Sequence, residues 1–203
     1  MKRRISRLVK KLLVYSRLDK WIADQFQKSE LHLLKRLIPD RTFYKPTDTR
    51  RVLRKGAFFE VHPADFSQWL LFAGDNFEHV EAALKVLAPD PEGLILDIGA
   101  NCGHFSMVLA QKISERKWKN QIISFEPNPR IFALLEKNLK INPDLDNIIH
   151  LVNKGVGKEK GVLQLQIPIR NSGAASLVKN YEHEPHEKHE IEKHAKQNIQ
   201  FLG

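Results

Sequence analysis

The fold of this chain is decided by residues 94–106, which read LILDIGANCGHFS. The segment Leu94–Leu96 is a short apolar run of the kind that forms a central parallel strand, buried on both faces. A turn containing Gly99 and Gly103 follows, and the pattern then predicts a helix over residues 104–113. An apolar strand, a glycine-containing turn and a helix in this order indicate an α/β fold.

The same alternation continues downstream. Residues 122–125 (IISF) predict a second strand, residues 129–142 a second helix, and residues 148–152 (IIHLV) a third strand. Strand, helix, strand, helix, strand is a βαβαβ unit, so we expect a parallel sheet. Residues 162–167 alternate apolar and polar side chains and predict a further strand, and Asn198–Leu202 predicts the start of another.

The segment before this unit is patterned less regularly. Residues 52–61 and 69–73 predict short strands, and residues 77–87 predict a helix that ends at the Pro-rich cluster 89–93. Near the other terminus, residues 182–196 are crowded with His and Glu and predict a solvated helix or loop. That interpretation is favoured over a metal site for the three histidines of the tract, His183, His186 and His189.

A basic amphipathic helix is predicted at the N-terminus, where Lys and Arg alternate with apolar residues. Its apolar positions are Ile5, Leu8, Val9, Leu12, Leu13, Leu18, Trp21 and Ile22. A second helix is predicted over residues 30–37. Packing of the apolar face on the main domain is the favoured interpretation. The alternatives are peripheral contact of residues 1–25 with an anionic membrane, which a Trp beside basic residues suits, and a partner protein or nucleic acid.

The formal net charge of +9 is distributed unevenly. Residues 1–60 hold 17 Lys and Arg against 6 Asp and Glu, whereas the remaining residues hold 16 against 18. A nucleic-acid partner is therefore not favoured for the part that carries the chemistry, because such binding needs a basic face there. The single cysteine, Cys102, excludes a disulfide framework and suits a reducing, cytoplasmic setting.

Residues 97–103 form the first candidate binding element, between the first strand and the first helix of the unit. The candidate cofactor-binding residues in it are Asp97, Gly99, Ala100, Asn101 and Gly103. Its glycines permit a tight turn and close approach of the backbone to a ligand, at the strand edge where open α/β sheets bind ligands. Dinucleotide sites carry a glycine where Asn101 stands. A ligand without phosphates and with a cationic amino end therefore fits better, and S-adenosylmethionine has that shape, with Asp97 attracting its amino group.

Residues 124–129 (SFEPNP) form the second element, at the end of the second strand. Glu126 stands where its carboxylate can accept hydrogen bonds from both ribose hydroxyls of a nucleoside. Asn128 in the same loop completes the candidate cofactor-binding set. An acidic residue at this position does not distinguish one nucleoside ligand from another, since NAD-dependent enzymes have an acidic residue at a similar position.

These motifs resemble the FkbM-type methyltransferases. The matching segments are residues 96–106 (LDIGANCGHFS), 125–129 (FEPNP), 153–157 (NKGVG), 172–177 (SGAASL) and the lead-in Phe77-Glu78. The resemblance implies a Rossmann-like class I methyltransferase with a parallel central sheet, preceded by N-terminal helices. It also implies transfer of a methyl group from S-adenosylmethionine to a hydroxyl, often on a carbohydrate or secondary metabolite.

The resemblance covers roughly residues 75–177, and the family's later Asp-x-Glu-Gly-like motif is not found, so an incomplete sheet is expected. The expected division is a basic helical extension over residues 1–60 and the N-terminal portion of a methyltransferase domain over residues 61–203. A small-molecule or glycan acceptor is the favoured partner. A non-catalytic or degenerate cofactor-binding module and an RNA methyltransferase remain alternatives. No catalytic base is assigned: His104 is a weak candidate, and residues 171–176 are candidates for contact with the acceptor or the methionine end of the cofactor.

Overall fold

The computed structural model describes residues 7–29, 32–74, 78–168, 170–174 and 194–202. The helices are α1 (Arg7–Tyr15), α2 (Leu18–Ser29), α3 (His32–Lys35), α4 (Phe66–Ala73), α5 (Glu78–Leu87), α6 (His104–Glu115) and α7 (Pro129–Lys140). The strands are β1 (Arg50–Arg54), β2 (Ala57–Val61), β3 (Leu94–Ile98), β4 (Gln121–Phe125), β5 (Ile149–Val152), β6 (Gly155–Val156), β7 (Gly161–Pro168) and β8 (His194–Leu202).

The predicted N-terminal helix is broken in two at Ser16 and Arg17, where Arg17 has φ 59°. Helix α2 packs on strand β1 through a buried ion pair, in which Asp19 Oδ2 lies 2.9 Å from Arg50 Nε. The expectation that the apolar face packs on the main domain is right for Ile22 of α2, which is buried, and for Leu13 of α1, which packs against the core. It is wrong for Leu8 and Leu12 of α1 and for Leu18 and Trp21 of α2, which are exposed. No helix in the described ranges is both long and apolar enough to cross a bilayer.

Strands β1 and β2 form an antiparallel hairpin, as the strand prediction for residues 52–61 anticipates. Its two-residue turn consists of Lys55 and Gly56, with φ 48° and 91°. Positive φ at both positions is the signature of the type I′ turn, whose twist matches that of the strands. Val52 and Phe59 lie opposite each other and point into the hydrophobic core.

The strand predicted over residues 69–73 is wrong, because these residues belong to helix α4. The Asp65 side chain caps the helix by accepting the Gln68 N–H at 3.2 Å, and Gly74 ends it with φ 99°. These capping signals flank an apolar segment that is too short for its periodicity to separate a strand from a helix. The helix predicted over residues 30–37 is reduced to α3 within the described residues.

The βαβαβ prediction is confirmed, and the fold is α/β. Strands β3, β4 and β5 form a parallel sheet in that order, with Leu96 opposite Ile123 and Ile123 opposite His150. Helix α6 connects the first two strands and α7 the last two. The buried side chains of both helices join one continuous core with the hairpin and α2.

The two faces of the parallel sheet differ in burial. The face that contains Ile122 and Ser124 is buried, and the Ser124 side chain contacts Ser106 of α6. On the opposite face the side chains of β3 remain exposed: Leu94 to 63%, Leu96 to 54% and Ile98 to 60%. The expectation that this strand is buried on both faces is therefore wrong within the described residues, where β3 is also an edge strand.

Asn138 of α7 and Asn142, two residues after its end, join this helix to the outer edge of the hairpin. Asn142 accepts the Phe58 N–H at 2.8 Å and donates to the Phe58 carbonyl at 2.7 Å. Asn138 accepts the Glu60 N–H at 2.7 Å and donates to the Glu60 carbonyl at 3.2 Å. These amides occupy main-chain groups of β2 that β1 does not use, so they fix the hairpin against the parallel unit.

The C-terminal strands form a second sheet in the order β6, β8, β7. Strand β8 runs antiparallel to β7 and parallel to β6, which confirms the strands predicted over residues 162–167 and 198–202. The first three residues of β8, His194–Lys196, fall in the tract predicted as helix or loop. The rest of that tract, including its three spaced histidines, lies outside the described residues.

Candidate functional site

The loop between β3 and α6 lies at the carboxyl ends of the parallel strands. Its backbone takes left-handed conformations at Gly99, Asn101 and Gly103, with φ 86°, 50° and 88°. The N–H groups of Gly99 and Ala100 both donate to the Phe125 carbonyl at 2.9 Å, which holds the loop against the end of β4. The loop is thus a fixed turn supported from the neighbouring strand.

The two glycines of this loop serve different purposes. A Cβ built on Gly99 would meet no atom within 4 Å, so the space in front of it is open. A Cβ on Gly103 would lie 2.6 Å from Leu135 Cδ1 and 2.7 Å from Met107 Cε. Gly103 therefore permits close packing of loop and helices, whereas Gly99 leaves a surface that a ligand can approach.

Glu126 connects the two candidate loops. Its Oε2 accepts the Asn101 N–H and its Oε1 the Asn128 N–H, each at 2.8 Å. The residue is buried, and burial raises the pKa of its carboxyl above the usual range. Each carboxylate oxygen keeps a second lone pair, so Glu126 can still accept two hydrogen bonds from a ligand.

Asp97 lies in the same electrostatic environment. Burial raises the pKa of Asp97, and Ser106 Oγ, which donates to its Oδ2, partly counteracts the shift. The charge of Asp97 in turn contributes to the raised pKa of Glu126. Two partly desolvated carboxylates that repel each other would both be stabilised by a cationic ligand group nearby.

A polar network ties the loop to the turn at residues 172–174. Asn101 Nδ2 donates to Ser172 Oγ at 3.4 Å, and the Ser172 N–H donates to Asp65 Oδ2 at 2.7 Å. Asp65 is also the N-terminal cap of α4, so one carboxylate positions both the helix and the turn. Of the acceptor-contact candidates at residues 171–176, only residues 171–174 are described.

A cavity of about 140 Å³ lies beside this network. It shares Asp65, Asn128 and Ser172 with the site, and the basic residues Arg130, Arg170 and His62 also line it. The Asp65 carboxylate already accepts hydrogen bonds from Gln68 and Ser172. Among the described residues, no carboxylate forms an ion pair with the guanidinium group of Arg130 or Arg170. The buried Nδ1 atom of His62 has no hydrogen-bond partner among them. The cavity therefore offers donors whose partners a ligand can supply.

Cys102, in the loop, and His104, directly after it, pack against other side chains of the protein. The His104 ring contacts Phe59 and His79 edge-on, with centroids 6.4 and 5.1 Å apart. Cys102 is buried, and burial raises its pKa to about 12, so the thiol is not a nucleophile at neutral pH.

Six of the seven candidate cofactor-binding residues lie in two adjoining loops, and the seventh, Asp97, lies in β3 directly before the first of them. Their role in binding stays a prediction. Sequence reasoning missed the supporting roles of Ser106, Ser124 and Asn138, the last of which donates to the Cys102 carbonyl at 2.9 Å. One signal in the sequence could have pointed to Asn138. It and Asn142, four residues apart, interrupt the otherwise apolar face of the helix predicted over residues 129–142.

Comparison with known proteins adds little to these observations. No family model matches the chain, and no curated protein gives a significant match. A solved protein-L-isoaspartate O-methyltransferase is similar over 67% of this chain at 17% identity, with a TM-score of 0.31. The chain spans about two fifths of that protein, 41% of its length. A likeness this distant carries no information about ligand or activity.

Proposed function

We propose that this chain binds S-adenosylmethionine and belongs to a methyltransferase that modifies a hydroxyl of a carbohydrate or secondary metabolite. The observation that carries the proposal is the Glu126 carboxylate, which clamps two loops at the carboxyl edge of a parallel sheet. The motif resemblance to FkbM-type enzymes supports the same assignment.

The described residues fit the cofactor. Glu126 would accept hydrogen bonds from both ribose hydroxyls, and Asp97 would attract the amino group, directly or through water. The loop over residues 99–103 would bring its backbone against the ligand where Gly99 leaves open space. When bound, the cofactor supplies an electrophilic methyl group. The protein's task is then to position the acceptor and exclude water.

The first test is calorimetric titration of the full chain with S-adenosylhomocysteine, with NAD and ATP as comparison ligands. Binding of S-adenosylhomocysteine in preference to both is expected, because the loop lacks the glycine pattern of a pyrophosphate site. Circular dichroism must first show that the chain is folded. A folded chain that binds none of the three would favour a degenerate module, and preference for NAD would contradict the assignment.

The pH dependence of binding tests the role of Asp97. Burial raises the pKa of Asp97 above the ~4 of an ordinary aspartate, so the ionised form that attracts the ligand dominates only at a higher pH. The affinity for S-adenosylhomocysteine should therefore rise as the pH increases from ~4 through the raised pKa of Asp97. The folded state holds this proton more tightly than the unfolded state, so the free energy of unfolding should fall over the same interval. Titrations across pH check both signs.

Asp97→Asn is expected to reduce the pH dependence of affinity. Asp146→Asn, on an exposed turn outside the site, serves as the matched control and should keep it. An unchanged profile in the Asp97 variant would remove Asp97 from the amino-group role.

The cavity beside Asn128 supports an anionic acceptor. Arg130 and Arg170 line it without carboxylate partners among the described residues, and a planar guanidinium pairs well with a carboxylate or phosphate. A carbohydrate that bears such a group fits both the donors and the hydroxyl chemistry of the proposed reaction.

An Arg130→Gln/Arg170→Gln variant should bind glucuronate and glucose 6-phosphate about tenfold more weakly or worse, since a charged hydrogen bond contributes ~1.5–3 kcal/mol. Glucose is the neutral ligand control, and Arg36→Gln, an exposed arginine elsewhere, is the control variant. Calorimetry at saturating S-adenosylhomocysteine measures the effect. The variant could instead lose its affinity for S-adenosylhomocysteine and keep its affinity for methylthioadenosine, which lacks the amino-acid carboxylate. In that case the arginines bind the cofactor's own carboxylate, and the acceptor assignment is wrong.

A further inference from the structure

An apolar stripe lies exposed on the N-terminal helices. It consists of Leu8 (67% exposed), Leu12 (56%), Tyr15 (90%), Leu18 (52%) and Trp21 (58%), and we call it the N-terminal stripe. Leu8, Leu12 and Tyr15 are spaced i, i+4 and i+7, so they share one face of α1. Leu18 and Trp21 follow on the first turn of α2.

The other side of α1 is attached to the protein. Leu13 and Val14 pack against the hydrophobic core, and the Val14 carbonyl accepts a hydrogen bond from Arg50 Nη2 at 3.0 Å. Lys10 Nζ lies 5.7 Å from the centre of the Phe43 ring. The helix is therefore seated with its apolar stripe turned away from the core, an arrangement that is unfavourable in water unless something covers it.

Cations surround the stripe. Arg7, Lys11 and Arg17 are exposed, and within the described ranges none of the three forms an ion pair. The acids of this region are already used, because Asp19 pairs with Arg50 and Asp24 with Lys20 and Arg54. The surface around the stripe is thus positive, in agreement with the concentration of basic residues before residue 61.

We propose that the N-terminal stripe docks on an anionic lipid surface, with α1 and the start of α2 lying in the plane of the interface. Leucines enter the boundary of the acyl chains, Trp and Tyr occupy the headgroup level, and cations pair with anionic headgroups. A nucleic acid would use the cations but not the leucines, and an apolar protein partner would have no need of unpaired cations. This inference is independent of the proposed methyl transfer.

Co-sedimentation of the full chain with vesicles tests the proposal. The chain should pellet with phosphatidylcholine vesicles that contain phosphatidylglycerol and stay in the supernatant with pure phosphatidylcholine. Lys11→Gln/Arg17→Gln should weaken binding about 25-fold, taking about fivefold for each cation near the surface. Leu8→Ser/Leu12→Ser/Trp21→Ser should abolish pelleting with the phosphatidylglycerol-containing vesicles.

Val86→Ser/Val162→Ser removes exposed apolar side chains elsewhere (78% and 63% exposed) and should bind like the parent chain. Circular dichroism of every variant ensures that lost binding does not reflect unfolding. Equal pelleting of the parent and stripe variants would overturn the proposal. So would self-association or RNA binding that depends on the stripe while the folded parent ignores anionic vesicles.

Discussion

Glu126→Ala is expected to lower the affinity of the chain for S-adenosylhomocysteine ten- to a hundredfold. This range corresponds to the loss of ~1.5–3 kcal/mol from hydrogen bonds between ribose hydroxyls and a carboxylate. The free energy of unfolding should also fall, by roughly 1–3 kcal/mol, because the Asn101 and Asn128 N–H groups lose their acceptor. The loss is limited because a carboxylate whose pKa is raised by burial is itself poorly solvated, and its removal relieves that penalty.

Calorimetric titration and urea unfolding, run on the same preparations, separate the two effects. Glu136→Ala, an exposed acid on α7, is the matched control and should change neither quantity. A large loss of stability with unchanged affinity would make Glu126 a structural clamp only and would remove it from the ribose role.

Gly103→Ala is expected to lower the free energy of unfolding by about 2–5 kcal/mol. A non-glycine residue at φ 88° is strained by ~1–2 kcal/mol. The added methyl group also meets Leu135 and Met107, both fully buried, and overpacking of this kind costs about 1–3 kcal/mol. Urea unfolding monitored by circular dichroism measures the sum.

Gly99→Ala is the natural counterpart, because its φ of 86° carries similar strain while its Cβ meets nothing. Its stability loss should be limited to the strain, ~1–2 kcal/mol. Its affinity for S-adenosylhomocysteine should fall, since the methyl group projects into the open approach. Equal stability losses in the two variants would contradict the packing role of Gly103, and full affinity in Gly99→Ala would place the ligand elsewhere.

The alternating unit could be predicted because its signals are local. Short apolar runs, a glycine turn and the amphipathic stripe of α7 each lie within one element, and all three parallel strands were located to within one or two residues. Helix α4 was missed because its apolar residues cover barely two turns. Its identity depends on the Asp65 cap and on Gly74 rather than on periodicity.

The burial of β3 shows a second limit of prediction from sequence. The apolar residues of a strand predict that its faces are buried, but they do not say which element covers each face. Within the described residues, Leu94, Leu96 and Ile98 remain exposed. The supporting shell of the site was missed for a related reason. Contacts such as Asn101 to Ser172 or Asn138 to Cys102 join positions far apart in the chain, and no local pattern encodes them.

The asparagine pair on the hairpin has a consequence for self-assembly. Open strand edges are templates for intermolecular sheets, and amides that fill the outer edge of β2 at Phe58 and Glu60 leave no template there. Strand β3 has no such protection in the described residues, and its exposed face is apolar. Under conditions that promote aggregation, we therefore expect intermolecular pairing at β3 rather than at the outer edge of β2.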